Sequence, residues 1–467
     1  MEEVPPFKVI IVGGSVAGLT LAHCLHRANI DHVVLEKRNE IAPQEGASIG
    51  LWPTGGQVLD QLGLWEEVVE GTQPLRVHNV LYPDGSGFSH DVLNRIYERF
   101  GYGLTFVERQ RLLETLYRRY PDKSRILVSK TVVDIRQTLS GACVATQDGT
   151  VYQGSLVVGA DGVHSRVRSE MWRLAELQNP GRVLLKKNAL TAEYCCVFGI
   201  SSAIPGLRSG EHGNVFGDGV TVLTFHGENR VYWFVVSKMN KKHTYPKIPR
   251  YGSKDAEELS RRFAAVRLAE GVCVRDLWEN RRVASMTAME EGLFEIWHFG
   301  RMVLLGDAVR KMTVNMGQGA NCAIEDAAVL ATLLDRLAQS NKKSTPIEAD
   351  IETLLKEFRM LRYARSKAIY GQTTFGVRLY TRDGILKTLM GRYIMPHKID
   401  HMADATSNLM ADGPVVGFLP LPRRSESGWE RYRSRKKEDS HWSQRKMLFL
   451  GTAVLSLSFL AYGYLRD

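Results

Sequence analysis

Three features of this 467-residue chain predict an α/β fold. Near the N-terminus an apolar strand, a glycine-rich turn, a helix and a second apolar strand follow one another closely. Two later apolar runs, 151–158 and 301–305, each lead into glycine-rich backbone. Between those two runs lies a β-branched, aromatic stretch with a hairpin turn. Together they describe a Rossmann-like domain carrying an inserted, mainly antiparallel β-sheet, then a helical part and one C-terminal transmembrane helix.

In order, Phe7 to Val12 (FKVIIV) is the first strand, and Leu19, Leu21, Ala22 and Leu25 mark the helix that follows the turn. His32 to Glu36 (HVVLE) is the second strand and ends in an acid. This is a βαβ unit. The runs ending at Val158 and Leu305 are strands whose ends can converge with the first at one sheet edge. In the insertion, Glu193 to Ile200, Val220 to His226 and Val231 to Ser237 read as antiparallel strands, with Gly227 to Arg230 as a turn. After Asn321, AIEDAAVLATLLDRL is helical. GPVVGFLPLP, from Gly413, is apolar and proline-rich, and Arg423 to Ser443 reads as a flexible linker. The expected divisions are a discontinuous nucleotide-binding domain over 1–180 and 295–400, a sheet domain over 181–294, a proline-containing segment and basic linker over 401–446, and an anchor over 447–465.

The anchor is the run MLFLGTAVLSLSFLAYGYL, uncharged and close to the roughly 20 residues that span a bilayer. Arg445 and Lys446 precede it, which keeps that side cytoplasmic. This predicts a single-pass tail anchor holding a cytosolic body on an internal membrane, the endoplasmic reticulum. The other reading of the run is a buried C-terminal helix. The acidic start MEEVPP lacks the features of a signal peptide. Six cysteines at irregular spacing, with no C-x-x-C pair, predict a reducing compartment and no structural metal. A net charge of +10 spread along the chain, without a nucleic-acid-reading motif, argues against a nucleic-acid partner.

The first motif is Gly13-Gly14-Ser15-Val16-Ala17-Gly18, with Glu36 downstream. In such a turn the first glycine bends the chain, the middle one admits a pyrophosphate and the last lets the helix pack closely. Ser15 stands at the middle position, and Gly14 beside it supplies slack. Glu36 is placed to bind ribose hydroxyls of an adenosine without a 2′-phosphate, which selects FAD or NAD over NADP. The second motif is GADGVHSRVR, containing Asp161. The third is Gly306-Asp307-Ala308, followed by Gly317-Gln318-Gly319-Ala320-Asn321 at a helix start. An acid after a strand-end glycine can hold a ribityl or ribose hydroxyl. The free amides around Gly319 and Ala320 suit the negatively charged pyrimidine side of a reduced flavin.

These three motifs in this order resemble the FAD-dependent monooxygenases of the para-hydroxybenzoate hydroxylase type, over roughly Phe7 to Tyr380. The resemblance implies that the first motif binds the ADP part of FAD, the second serves FAD and NADPH, and Asp307 holds the ribityl chain. Arg109 in VERQRLLETL matches a further FAD contact of that family. GGSVAGLTLAHCL, VVLEKR, RKMTVNMGQGAN and GPVVGFLPLPRR look like the fungal meroterpenoid and indole-diterpene epoxidases, in which Gly50 of ASIGLWP matches an FAD-lining position. Those enzymes use FAD, NADPH and O₂ to epoxidise a prenyl-chain alkene through a flavin 4a-hydroperoxide, before a membrane-bound terpene cyclase closes the rings. Two departures stand beside the expected flavin: many members carry His at Arg310 and Pro at Val314.

The resemblance implies a hydrophobic prenylated substrate and a reaction in which the cofactor carries the difficult step, so no catalytic residue is assigned. Tyr194 is either a substrate contact or a core aromatic, and alternation sends Trp233 to the face opposite Tyr232 and Phe234. His164 reads as structural, and Arg166 and Arg168 as partners of NADPH phosphates or as solvated charge. An aromatic-ring hydroxylase with the same cofactor cycle, and a non-catalytic flavin-binding scaffold, are the alternatives.

Overall fold

A computed structural model describes residues 7–44, 46, 48–138, 141–178, 190–340, 346–425 and 429–430. One sheet runs, edge to edge, through strands 298–299, 302–304, 156–159, 8–12, 31–35 and 126–127. All its pairings are parallel except the first. Its central strands are apolar at almost every position and fully buried, as a parallel sheet covered on both faces requires. Helix Val16–Arg27 covers one of these faces and packs along helix Gln318–Ser340.

The second sheet has eight strands, in the order 310–311, 281–293, 191–202, 230–244, 220–226, 211–216, 77–81, 87–90. It draws on more of the chain than the insertion alone, since Val77–Leu81 and Gly87–His90 extend it from the N-terminal third. Alternation sorts its side chains between two cores. Tyr194, Cys196, Leu223, Phe225, Tyr232 and Phe234 face the first domain. Val197, Val222, Trp233 and Val235 face outward and are covered by helices Ser253–Arg262 and Val274–Glu279.

Helices Glu348–Tyr380 and Ile399–Ala411 close the body. The proline-rich segment that follows is fastened down: Gln61 accepts from the Val416 amide at 2.9 Å and donates back to its carbonyl at 3.0 Å. Trp429 is still buried, its indole donating to Phe100 O, so packing continues past Arg423, where a linker is expected from sequence.

The expected transmembrane helix, and with it the membrane localisation, is corrected. Among the described residues no helix is long and apolar enough to cross a membrane. The run 447–465 lies outside the described residues. An apolar run of sufficient length sets only the possibility of a span, and no described element realises it.

Candidate cofactor site

Parallel pairing sets the three glycine-rich strand ends side by side. The Ala160 amide donates to Val12 O at 2.8 Å and the Leu305 amide to Gly159 O at 2.9 Å. Gly13 adopts φ +109°, and a Cβ there would lie 2.4 Å from Ala160 O. Only glycine allows the first motif to touch the second in this conformation. At Gly18 a Cβ would fall 1.9 Å from Gly13 O, which is the close packing of helix on turn expected at that position.

Glu36 is buried at the end of its strand. Its Oε2 accepts from the Gly14 amide at 2.6 Å and its Oε1 from the Arg38 amide at 3.0 Å. Each carboxylate oxygen keeps a further lone pair, so the acid shapes the turn and can still accept from a ribose. Ser15 does not cap the helix that it precedes. Its Oγ instead accepts from Arg109 Nη2 at 3.1 Å, which brings the two residues together on one rim.

Asp161 is placed differently from the sequence expectation of a cofactor contact. Its carboxylate accepts from Ser165 Oγ, from the Arg166 amide at 2.7 Å and from the Val167 amide at 3.1 Å. It caps the start of helix Arg166–Gln178, and burial raises its pKa above the usual carboxylate value. Arg168 is buried too: it donates to Ala308 O at 2.7 Å and Val163 O at 2.6 Å, and its guanidinium lies 4.1 Å from the Phe294 ring centroid. It therefore locks the second motif to the third and is not solvated charge. Arg166 is half-exposed and pairs with Glu170 at 2.6 Å.

In the third motif Asp307 is paired with Lys311. Asn321, unmarked by the sequence reading beyond its place at the helix start, clasps the neighbouring strand. Its Nδ2 donates to Gly50 O at 2.8 Å and to Gly317 O at 2.8 Å, while its Oδ1 accepts from the Trp52 amide at 2.9 Å. Gly50 thus sits against the helix start, and on its other side a Cβ would lie 3.0 Å from the Phe106 ring. A Cβ on Gly319 would meet nothing within 4 Å, so this helix turn faces open space.

This arrangement fits a flavin dinucleotide on its own chemistry. The first amides of helix Gln318–Ser340 lack intrahelical partners. Gln318, 2% exposed, has neither amide atom hydrogen-bonded among the described residues. A buried, unsatisfied donor and acceptor beside a helix N-terminus match the alternating donors and acceptors of a flavin pyrimidine edge. Arg310 does not stand at that edge. It turns inward, 1% exposed, with Nη1 2.8 Å from Asp326 Oδ2.

Across the cleft, Phe106 stacks on Phe225 at 3.7 Å between centroids, and Phe225 stacks on His212 at 4.3 Å. His78 and His90 continue the row along paired strands. Burial depresses all three histidines, His90 to about 4 and His212 to about 3. The Tyr194 hydroxyl donates to Asp383 Oδ2 at 3.1 Å, and burial pushes its pKa up. It is a satisfied core aromatic. His164 contacts Glu290 at 3.5 Å.

A family model described as "FAD binding domain" matches residues 6–183 and 209–347. The FAD-dependent monooxygenase nvfK of Aspergillus novofumigatus is 54% identical over 91% of this chain and 92% of its own length. The FAD-dependent monooxygenase penE of Penicillium thymicola is 51% identical over 97% of this chain and 96% of its own. Among solved structures, HpxO of Klebsiella pneumoniae complexed with FAD superposes with a TM-score of 0.71 at 22% identity, covering 87% of this chain and 99% of that one. That last likeness is one of fold.

Proposed function

The chain belongs to the FAD-dependent monooxygenases, and from that premise we propose that it epoxidises an alkene in the prenyl chain of a hydrophobic aromatic compound, with NADPH as reductant. Membership in the family brings FAD, O₂ and a small-molecule substrate. Bound FAD supplies the oxygen chemistry. The protein must hold it, exclude water and orient the alkene.

In this reading Gly13, Gly14 and Gly18 admit the pyrophosphate, and Glu36 accepts from the adenosine ribose. Arg109 and Ser15 close the rim, while Asp307 holds the ribityl chain. Gly50, Gly319 and Ala320 border the flavin ring, with the helix amides turned to its pyrimidine side. Asp161 acts through the loop it caps.

The observation that favours an alkene over a phenol is the character of the sheet face opposite. Ring hydroxylation begins by removing a phenolic proton, which calls for a base with a pKa near 7. His90 and His212, with pKa values pushed to about 4 and about 3, are too weak for that, and the Tyr194 hydroxyl is engaged. An electron-rich alkene needs no deprotonation. The epoxide so formed is the kind of product that a terpene cyclase opens by protonation.

The test is turnover of the full-length protein with FAD, NADPH and a terminally prenylated aromatic compound under ¹⁸O₂, read by mass spectrometry. One labelled oxygen in the prenyl chain supports epoxidation. Label on the aromatic ring replaces this reading with hydroxylation, and NADPH oxidation without any incorporation overturns both.

A further inference from the structure

Behind the third motif lies a buried group of charges that no cofactor contact uses. Glu325 and Asp326 project from helix Gln318–Ser340, Arg362 and Arg365 from helix Glu348–Tyr380, and Arg310 from the third motif itself. Arg362 bridges both acids, Nη2 to Glu325 Oε2 at 2.8 Å and Nε to Asp326 Oδ1 at 2.9 Å. Arg365 grips Glu325 through Nε at 2.8 Å and Nη2 at 2.7 Å. Arg310 faces the other Asp326 oxygen. Cys322, a neighbour of all three arginines, is pushed up to about 11 by burial and stays neutral. Three cations against two anions leave one positive charge in excess.

The excess falls on Arg310. None of its three guanidinium nitrogens finds an acceptor in hydrogen-bonding geometry among the described residues. A guanidinium cannot shed its proton to escape burial, so its charge is permanent. The cluster is fastened to the flavin-holding turn, because Asp326 Oδ2 also accepts the Gly306 amide at 3.0 Å. Asp326 follows Gln318, the first residue of its helix, by two turns, a distance of about 12 Å along the axis.

Resting on FAD occupancy of this cleft and not on the choice of substrate, we propose that Arg310 is a positioning residue whose buried charge favours the reduced, anionic form of bound FAD. It reinforces the helix N-terminus from behind without touching the ring. A unit charge acting over about 12 Å at an effective dielectric near 20 shifts an equilibrium by about tenfold. For a two-electron couple that is about 30 mV.

The measurement is the reduction potential of FAD in the purified holoenzyme, without substrate, equilibrated against reference dyes, with flavin content recorded for each variant. Arg310→Met removes the excess charge and lowers the potential by that amount, whereas Arg310→Lys leaves it near the parent value. Glu325→Gln increases the excess and moves the potential upward. If Arg310→Met does not retain FAD, Arg365→Gln carries the test, since its side chain sits at the cluster's edge with 11% exposure. An unchanged potential in a charge-removing variant that retains FAD, or shifts of the same sign for charge-removing and charge-adding variants, overturns the proposal and leaves the cluster a purely structural one.

Discussion

Arg109 Nη2 donates to Ser15 Oγ at 3.1 Å, joining the start of helix Arg109–Arg118 to the position in the first motif where glycine is expected. A hydroxyl there would narrow the approach of a pyrophosphate if it pointed into the turn. Held by Arg109, it points along the rim and adds an acceptor for the guanidinium. We expect Arg109→Met to weaken FAD binding by about 10- to 100-fold, since one charge-assisted hydrogen bond contributes about 1.5–3 kcal/mol. We expect Ser15→Gly to change affinity by less than about threefold, because Arg109 then reaches the cofactor unaided. Fluorescence of FAD titrated into apoprotein measures both, and equal losses in the two variants would contradict the division of roles.

Gly13 and Gly319 should respond in opposite ways to the same added methyl. At Gly13 an alanine meets Ala160 O at 2.4 Å in a left-handed conformation, so Gly13→Ala should destabilise the apoprotein by about 2 kcal/mol or more. At Gly319 the space is open, and alanine is a better helix former by about 1 kcal/mol. Gly319→Ala apoprotein should therefore melt at or slightly above the parent temperature while losing affinity for FAD. Calorimetry of the apoproteins, followed by FAD titration, separates the two effects.

The glycines and the alternation were legible because each is a local signal. A positive φ or a close approach demands glycine, and period two sends Trp233 away from Tyr232 and Phe234. Asp161 and Arg168 were harder, because what occupies them is remote or geometric: an amide one helix turn on, and a carbonyl at Ala308. Arg310 looked like a cleft residue for the same reason, since its partner Asp326 reads as one more polar position on a helix. Phe106 carried a faint signal, being an aromatic in the strand just before Arg109. The apolar run 447–465 predicted a span on hydropathy alone, and no described helix bears it out.

Trp233 and Phe234 are adjacent in one strand and should divide stability from turnover. Trp233 is fully buried in the outer core, with its indole donating to Ser201 Oγ at 2.7 Å. Trp233→Ala should cost about 3–5 kcal/mol. Phe234 lies on the inner face beside Phe225, so Phe234→Ala should raise KM for the substrate more than it lowers the unfolding free energy. Urea denaturation and steady-state kinetics on both variants check this, and a KM effect confined to Trp233→Ala would place the substrate on the wrong face of the sheet.

The histidine row gives the fold an acid-sensitive flank. A buried histidine with a depressed pKa stays neutral in the folded protein, while the unfolded chain takes up its proton below about pH 6.5. The contribution is therefore complete above pH 6.5 and is lost as pH falls from there toward the folded values of about 4 for His90 and about 3 for His212. In that window each histidine adds a slope of up to about 1.4 kcal/mol per pH unit. His212→Phe keeps a ring stacked on Phe225 and removes the proton site. Its unfolding free energy should fall less steeply than the parent's between pH 6.5 and 5, a window above most carboxylate titrations. Parallel urea-derived curves for the two proteins would mean that His212 is protonated in the folded state as readily as in the unfolded one, and that burial in this row does not hold it neutral.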